Sequence, residues 1–510
     1  MPTTRRLPKR LITALPLLVL LTLIAGLAVR HPDPVEAGHL CGGTGSPFGP
    51  FDFQTYEDVN HKTTYARTIE LAGFNQLFHD RVGFHQPFQE VGPRSAGSGQ
   101  TQLPYIPPVL LKSIAWIESG WNQAAGSVPY GQVGPTLTSH DCGYGIMQVT
   151  SGMQNVSGVP NLDQAMIGGH YAFNIARGAR ILAEKWNNAP EFRPIVGDRN
   201  PSIIENWYYA LWGYNGFAFK NHPYAHDTNR PPYRCDGTQP RGNYPYQELV
   251  LGCVANPPSR GGTRLWEPQP VTLPNLSDPA FAGPLNPAHW DACSQQLQCA
   301  AMDLPTPSPW HTDPTGPAAS REQVLGYPGL ALSTGIINLA AVPGGQSLPA
   351  DLTIANSGTG VSAWRAFPTA SWLKVSRLQG VSLGGDLGST SQTVKVNANA
   401  AGLPPGTYTS EILVESLYSA GVPTRVTVSL RVDPQAGVTI PGDFTGDGKT
   451  DLAFLCCSDY LSMWISVGNG SFSKTVYRPW PGYGMSLGSW QPGHFNNDGR
   501  LDLLHLCCDG

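Results

Sequence analysis

The fold of the first half of the chain is decided by the stretch Pro107-Pro-Val-Leu-Leu-Lys-Ser-Ile-Ala-Trp-Ile-Glu-Ser-Gly-Trp-Asn122. Its apolar residues recur at helical spacing and predict one buried stripe, formed by Leu110, Ile114, Ile117 and Trp121. Glu118 lies inside this apolar arc, one turn after Ile114. Burial removes water from a carboxyl group and raises its pKa toward the range in which it donates a proton near neutral pH. Glu118 is therefore a candidate catalytic acid, and the alternative is a carboxylate at the stripe's edge that reaches solvent or an arginine.

Two further blocks follow this helix, Gly143-Tyr-Gly-Ile-Met-Gln-Val149 and Tyr209-Ala-Leu-Trp-Gly-Tyr-Asn-Gly216. With Glu118-Ser-Gly-Trp-Asn122 they resemble, in the same order, three motifs of the soluble lytic transglycosylases: Glu-Ser-x-aromatic-Asn, Gly-Leu-Met-Gln and Ala-Tyr-Asn-x-Gly. That family has a lysozyme-like fold, and the resemblance covers roughly 104–220. It implies cleavage of the β-1,4 bond between N-acetylmuramic acid and N-acetylglucosamine in peptidoglycan glycan strands, with Glu118 as general acid and then general base.

The resemblance also assigns roles to residues around Glu118. Ser119 is expected to steady the substrate or the catalytic carboxylate. Met147 and Gln148 are expected to line the cleft, with Gln148 bonding the sugar, while core packing is the alternative for Met147. Tyr214 and Asn215 are expected to contact the sugar and orient the catalytic carboxyl.

The resemblance places Gly145 at the substrate, and a glycine there also suits a turn. One departure from the family pattern is the separation of 27 residues between Glu118 and Gly145. The extra residues, Ala125 to Asp141, are rich in Gly, Pro, Ser and Thr and predict a longer loop over the cleft. Between Ser119 and Leu162, Asp141 is the only acidic residue.

The scarcity of acids bears on the type of reaction. A two-carboxylate glycosidase needs a partner across the scissile bond, a role open to Asp141 unless it only caps its loop. A transglycosylase needs no partner, because the substrate's acetamido group stabilises the cation and the muramic 6-hydroxyl closes a 1,6-anhydro ring. We expect the transglycosylase and no catalytic cofactor. A hydrolytic muramidase on the same fold, and a wall-binding or adhesion protein with an inert domain, are the alternatives.

The N-terminus predicts export. Arg5, Arg6, Lys9 and Arg10 precede an apolar run from Leu11 to Val29, the pattern of a signal peptide. The run of 19 residues is also long enough for an uncleaved membrane anchor. Both interpretations place the remaining chain outside the cytoplasm, in the cell envelope or the extracellular space.

Composition agrees with an exported protein of several domains. The chain has 510 residues, of which 58 are glycine, 48 are proline and only 13% are charged. A net charge of −4 predicts no general attraction to nucleic acid. Local disulfides are expected for Cys235 with Cys253 and for Cys293 with Cys299. A longer bridge from Cys41 to Cys142 is a further candidate, and the alternative for the first pair is a zinc site with His222 and His226.

The predicted fold class is multidomain, with a mainly helical lysozyme-like domain, an all-β sandwich and partial β-propeller-type repeats. The predicted segments are a leader (1–37), a lead-in (38–103), a catalytic domain with a Cys/Pro-rich extension (104–300), a solvated Pro-rich linker (301–330), a sandwich (331–433) and repeats (442–510). The sandwich segment resembles BACON-like immunoglobulin-type modules, in Trp372-Leu-Lys-Val375 and Pro405-Gly-Thr-Tyr408. Its role is spacing the enzyme from the membrane or binding a glycan.

The last segment repeats itself. Gly442-Asp-Phe-Thr-Gly-Asp-Gly-Lys-Thr-Asp-Leu452 recurs 51 residues later as Gly493-His-Phe-Asn-Asn-Asp-Gly-Arg-Leu-Asp-Leu503. This pattern resembles the FG-GAP/VCBS repeats of β-propellers. The first copy offers oxygen ligands suited to a structural calcium ion, from Asp443, Thr445, Asp447, Lys449 (through its carbonyl) and Asp451. Asp/Gly turns without a metal are the alternative.

Overall fold

The computed structural model describes residues 48–78, 105–296, 298–416, 422–433, 438–456, 460–468, 471–477 and 489–506. The predicted leader and Cys41 lie outside these ranges. In chain order the helices are α1 (His61–Gly73), α2 (Pro108–Ser119), α3 (Leu162–Gly169), α4 (Tyr171–Asn187), α5 (Ala189–Phe192), α6 (Tyr208–Tyr214), α7 (Tyr246–Ala255), α8 (Pro279–Ala282), α9 (Pro287–Gln296) and α10 (Arg321–Leu325). No helix within the described ranges combines the length and apolar character needed to span a bilayer.

Helix α2 carries the stripe that periodicity predicts. The four stripe residues are all at most 8% exposed, namely Leu110, Ile114, Ile117 and Trp121. Pro108 occupies the first helical position, where its missing N–H costs nothing. The helix stops at Gly120, which adopts the left-handed conformation with φ 62°. Glu118 therefore lies in the last turn of a helix that is buried along most of its length.

The lead-in is part of the helical domain rather than a separate segment. Its strand β1 (Gln54–Glu57) pairs antiparallel with β2 (Gln132–Pro135), which lies inside the predicted insertion. Both Glu57 carboxylate oxygens are used: the Tyr65 hydroxyl donates to one (2.9 Å), and the N–H groups of Gln123 (2.9 Å) and Ala124 (2.7 Å) donate to the other. The insertion is thus held against β1, and is not a free loop over the cleft.

The extension after residue 220 packs α7 against α2 and carries a short hairpin of β3 (Ser259–Arg260) and β4 (Thr263–Arg264). Both predicted local disulfides are present, Cys235–Cys253 and Cys293–Cys299. The first one excludes the zinc alternative, because both thiolates are consumed. Cys142 is also disulfide-bonded.

The Pro-rich linker differs from the expectation of a solvated spacer. Its Leu304 carbonyl accepts a hydrogen bond from Gly197 N–H (2.8 Å), and its Asp313 carboxylate accepts one from Val109 N–H at the start of α2 (2.8 Å). Val324 and Leu325 of α10 are buried in the core of the helical domain. These contacts satisfy backbone groups that a free chain would leave to water, so the segment runs along the domain surface.

The predicted sandwich is present as two sheets. The strands are β5 (Leu330–Leu332), β6 (Ile336–Ala341), β7 (Ala350–Asn356), β8 (Val361–Pro368), β9 (Leu373–Val375), β10 (Gln379–Leu383), β11 (Ser391–Ala398), β12 (Gly406–Ser416) and β13 (Thr424–Val432). One sheet has the order β10-β8-β12-β13-β6 and the other β5-β7-β11-β9. Inward side chains alternate along β12 and β13 and fill a core around Trp364.

The sandwich is docked on the helical domain. The side-chain amide of Gln379 accepts a hydrogen bond from Gln54 N–H (2.8 Å) and donates one to the Gln54 carbonyl (2.9 Å). Outward residues of β8 and β10 belong to the helical domain's own apolar core, namely Val361, Ala363, Val381 and Leu383. A Cβ on Gly169 would lie 2.3 Å from the Gln379 amide nitrogen, so the close approach requires glycine there.

The C-terminal segment forms a four-stranded antiparallel sheet and a separate two-stranded pair. The strands are β14 (Val438–Gly442), β15 (Asp451–Cys456), β16 (Tyr460–Gly468), β17 (Ser471–Tyr477), β18 (Ser489–Gly493) and β19 (Asp502–Leu506). Its described core is small, with Ile440 and Ala453 buried and Phe444, Met463 and Leu503 packed against them.

Candidate active site

Glu118 occupies a dehydrated position at the C-terminal end of α2. Burial, together with the charge of Asp141, raises the pKa of its carboxyl group to about 7, against the opposing effects of a hydrogen bond from Tyr246 and the charges of Arg241 and Lys220. The Tyr246 hydroxyl donates to Oε1 of Glu118. In the described part of the chain no other donor contacts this carboxyl group, so Oε2 accepts no hydrogen bond there. A carboxyl group in this state is protonated for about half the time near neutral pH and suits proton transfer.

Tyr246 is a site residue that sequence reasoning missed. It begins α7, 128 residues after Glu118, and lies in the extension beyond the three motif blocks. Its ring is parallel to that of Tyr214, with centroids 6.3 Å apart and planes 9° apart. The only local sign is a tyrosine at the start of an otherwise apolar helix, which by itself indicates packing.

The second motif block forms a turn in which both central residues, Ile146 and Met147, have their backbone N–H and C=O groups bonded to side chains. The Ile146 carbonyl accepts from the Ser119 hydroxyl (2.8 Å), and the Met147 carbonyl accepts from the Tyr214 hydroxyl (3.0 Å). The Ile146 N–H donates to the Gln123 side chain (3.0 Å), and the Met147 N–H donates to the Asn174 side chain (2.8 Å). The turn therefore joins all three motif blocks to each other.

Two of these holding residues, Gln123 and Asn174, also explain Gly145. Its φ is 68°, and a Cβ there would lie 2.5 Å from the Gln123 side-chain oxygen and 2.6 Å from the Asn174 side-chain nitrogen. Both amide side chains are fully buried. Sequence reasoning missed them, although Asn174 is a polar residue at a buried position of α4, a pattern that signals a fixed hydrogen-bond partner.

The expected substrate contacts are only partly compatible with this geometry. The Met147 side chain is fully buried, and a Cβ on Gly178 would lie 2.7 Å from it, so it packs in the core and does not line the cleft. The hydroxyls of Ser119 and Tyr214 are used to hold the turn. Gln148 is half-buried, has φ 46°, and donates its amide to the Gly145 carbonyl (2.7 Å).

Asn215, at the end of α6, lies on a chain of hydrogen bonds that leads to α7. The Asn221 side-chain nitrogen donates to the Asn215 side-chain oxygen (3.0 Å), and the Asn221 side-chain oxygen accepts from the Tyr246 N–H (3.2 Å). Asn221 is buried and was also missed, because it follows the third motif block without belonging to it. The position of Asn215 is thus coupled to the helix that carries the partner of Glu118.

The C-terminal carboxylates are used in a different way from Glu118. Asp443 accepts hydrogen bonds from the N–H groups of Gly446 (2.6 Å), Asp447 (3.1 Å) and Gly448 (2.7 Å). The fully buried Asp451 accepts from Phe444 N–H (3.1 Å), Thr445 Oγ1 (3.1 Å) and Ser466 N–H (2.7 Å).

As the loop stands, the side-chain oxygens of the expected calcium ligands bond to protein groups. Lys449 places its ammonium group on the Asp447 carboxylate at 3.0 Å, where it competes with any cation. Among the described residues, no group of three or more His, Cys, Asp or Glu side chains is placed to hold a metal ion.

Comparison with known proteins identifies two parts of the chain. Residues 98–231 match the family model described as a transglycosylase SLT domain, and residues 443–505 match that of an FG-GAP-like repeat. None of the curated proteins matches the sequence.

Among solved structures, the ASH/PapD-like domain of human CEP192 is 14% identical, covering 20% of this chain and 84% of that one, with a TM-score of 0.17. WR4, a C. elegans MSP family member, is 12% identical, covering 20% of this chain and 96% of that one, with a TM-score of 0.16. The matched SLT region contains Glu118 and all three motif blocks and ends before Tyr246. The protein therefore carries an SLT domain of the lysozyme-like, peptidoglycan-cleaving kind found in the cell envelope, together with an FG-GAP-like repeat.

Proposed function

We propose that this protein is a peptidoglycan lytic transglycosylase that cleaves the β-1,4 bond between N-acetylmuramic acid and N-acetylglucosamine and forms 1,6-anhydro-N-acetylmuramic acid. The observation that carries the proposal is Glu118, a carboxyl group with a pKa of about 7 and a single protein donor among the described residues. A group of this kind serves as an acid in one step and a base in the next.

The proposed reaction uses Glu118 twice, first as an acid and then as a base. Protonated Glu118 donates its proton to the glycosidic oxygen as the bond from that oxygen to C1 of the muramic ring breaks, and the N-acetylglucosamine leaves with a free 4-hydroxyl. The acetamido oxygen of the muramic residue stabilises the cation at C1. Glu118, now a carboxylate, removes the proton from the 6-hydroxyl, and O6 bonds to C1. No water is consumed, and Glu118 returns to its protonated state.

Tyr246 contributes by orientation. Its hydroxyl holds Oε1 and so directs Oε2 toward the bond to be cleaved, while the turn at Ile146 and Met147 is braced by Ser119 and Tyr214. Holding a reacting group within a narrow range of positions is a large part of enzymatic rate enhancement. These residues are proposed as positioning groups, and Gln148 and Asn215 as candidate sugar contacts.

Mass spectrometry of the products tests the proposal directly. Purified sacculi digested with the full-length protein should yield muropeptides that carry the loss of one water due to the anhydro ring, and the Glu118→Gln variant should yield none. Products with an ordinary reducing end would contradict the transglycosylase assignment. Clearance of sacculi by Glu118→Gln at the parent's rate would remove Glu118 as the catalyst, whereas a parent protein that releases no muropeptides would favour a wall-binding protein.

One observation favours hydrolysis as a second candidate. Asp141 is exposed, and its charge acts on Glu118. Its Oδ1 also accepts a hydrogen bond from the Ser139 hydroxyl at 2.5 Å, which holds it in place. A second carboxylate that acts on the same site could activate water in a muramidase. Asp141→Asn separates the two reactions: it should abolish hydrolysis, and it should leave anhydro products forming if Glu118 works alone.

A further inference from the structure

Two arginines from the extension bind the backbone at the end of α2, on either side of Glu118 in the sequence. The last carbonyls of a helix have no partner within the helix and carry a partial negative charge. Here the Ile117 carbonyl accepts a hydrogen bond from the Arg241 guanidinium at 2.8 Å. The carbonyl of Gly120, the residue that ends the helix, accepts one from the Arg260 guanidinium. Both cations therefore stabilise the turn that carries the candidate catalytic carboxyl group.

Arg260 is itself held by three other parts of the chain. The Lys62 ammonium group of α1 donates to the Arg260 backbone carbonyl at 2.7 Å. The Arg260 guanidinium lies over two aromatic rings, 5.5 Å from the centroid of Trp116 in α2 and 5.9 Å from that of Tyr130 in the insertion. These distances suit cation–π attraction. The insertion and the β3–β4 hairpin thus meet at the end of α2, with Arg260 between them.

The same extension supplies the donor to the Glu118 side chain. Tyr246 donates to Oε1, and all three extension residues lie beyond residue 231, where the match to the SLT family model ends. A single bond to Oε1 orients the carboxyl group only if the backbone that carries it is also fixed. The bonds from Arg241 and Arg260 meet that condition, because they hold the backbone just before and just after Glu118.

We propose that Arg241 and Arg260 are positioning residues for the cleavage reaction, which hold the last turn of α2 so that the Glu118 carboxyl group stays on the Tyr246 hydroxyl. This inference rests on the proposed function. It gives a role in the reaction to the insertion and to the β3–β4 hairpin, two segments that the three motif blocks leave unexplained.

The first test measures kcat and KM of the full-length protein on soluble glycan oligomers prepared from sacculi, at a temperature where thermal unfolding shows each variant to be folded. Arg241→Gln and Arg260→Gln should each lower kcat about ten-fold and leave KM unchanged, because a displaced acid slows the chemical step without weakening the binding of the substrate. Arg234→Gln and Arg264→Gln, which remove exposed charges from the same extension, should keep the parent's kcat.

The second test repeats both substitutions in a Tyr246→Phe background. If the arginines act by aligning Glu118 with Tyr246, each change should now lower kcat by no more than about two-fold, since residues that act as a unit are not additive. Arg241 is exposed, so Arg241→Gln decides the question if Arg260→Gln does not fold.

Three results would overturn the inference: an unchanged kcat, a ten-fold loss in both backgrounds, or a loss that only follows the fraction of folded protein. In each of them, anhydro products from the parent would leave the proposed function standing. A parent protein that forms no such products would overturn both.

Discussion

Glu118 and Asp443 are two carboxylates beside glycine-rich turns, and their surroundings move their pKa values in opposite directions. Burial raises the pKa of Glu118 to about 7, and one tyrosine is its only donor among the described residues. For Asp443 desolvation raises the pKa, but hydrogen bonds from backbone N–H groups, chiefly those of Gly448 and Gly446, outweigh it and lower the pKa. Burial with a single donor thus raises the pKa of a carboxyl group toward neutral pH, whereas several backbone N–H donors lower the pKa and make the carboxylate a structural anchor of its loop.

The largest effect on activity is expected when the carboxylate of Glu118 is replaced. Glu118→Gln keeps the shape and removes the exchangeable proton, so cleavage of sacculi should fall by about a thousand-fold or more. The measurement is release of soluble muropeptides over time, with Glu267→Gln, an exposed glutamate in the same domain, as the matched control. Equal losses in both variants would show that the effect is not due to the chemistry of Glu118.

Removing the Tyr246 hydroxyl, the donor to Glu118, should widen the difference between the pKa values of Glu118 and Asp443. The Tyr246 hydroxyl stabilises the ionised form of Glu118, so Tyr246→Phe should raise the pKa of Glu118 further. The acid form then persists to higher pH, and the alkaline limb of the pH–activity profile, near 7 in the parent, should move upward. The rate should also fall about ten-fold, because the carboxyl group loses its orienting bond.

The matched control for this variant is Tyr244→Phe, two residues earlier and also buried. It should change neither the rate nor the position of the limb. A limb that stays in place in Tyr246→Phe would mean that the tyrosine does not act on Glu118 in solution.

Stability should respond to the same desolvated group. The folded pKa of Glu118, about 7, is above its ordinary value of 4.5, so the folded state keeps the proton more tightly than the unfolded chain. The parent should therefore lose stability as pH rises from 4.5 toward 7, and Glu118→Gln should not. At pH 8 the variant should be more stable by about 1–3 kcal/mol, and at pH 4 the two should be equal. Thermal unfolding at both pH values measures this difference, and a constant difference would contradict it.

The smallest effect on cleavage is expected from replacing Asp443. Asp443→Ala removes the acceptor for three N–H groups, so the C-terminal segment should unfold at a lower temperature while cleavage of sacculi stays unchanged. Because the pKa of Asp443 is lowered in the folded state, the parent's own advantage should disappear as pH falls through that lowered value. Limited proteolysis between acid and neutral pH would follow this segment separately from the catalytic domain.

The surroundings of Glu118 can be predicted from the sequence only in part, because some of its hydrogen-bond partners lie far away along the chain. The helical stripe and the three motif blocks are local patterns, so Glu118 and the turn at Gly145 could be predicted from spacing and resemblance. The donors that set the chemistry come from far away, as with Tyr246, 128 residues after Glu118. A tyrosine in an apolar helix gives no local sign of such a partner.

Two predictions, for Met147 and for the Pro-rich linker, differ from the structure because these residues are covered by neighbouring parts of the protein. Met147 belongs to a substrate-lining motif by resemblance, yet its side chain fills the space over Gly178. The Pro-rich linker has the composition of a free spacer, yet Asp313 accepts an N–H from the first turn of α2. Local composition does not reveal whether a neighbouring surface will remove a segment from water.

The docking of the sandwich through Gln379 determines the mechanical behaviour of the enzyme. A catalytic domain on a flexible tether samples a volume set by the tether's length, and its encounters with any anchored point are governed by effective concentration. Here the bonds from Gln379 to Gln54 and the shared apolar core give a fixed offset instead. A ligand bound to the sandwich would therefore set the distance and angle at which Glu118 meets a glycan strand. Cleavage would then occur at a constant distance from that ligand.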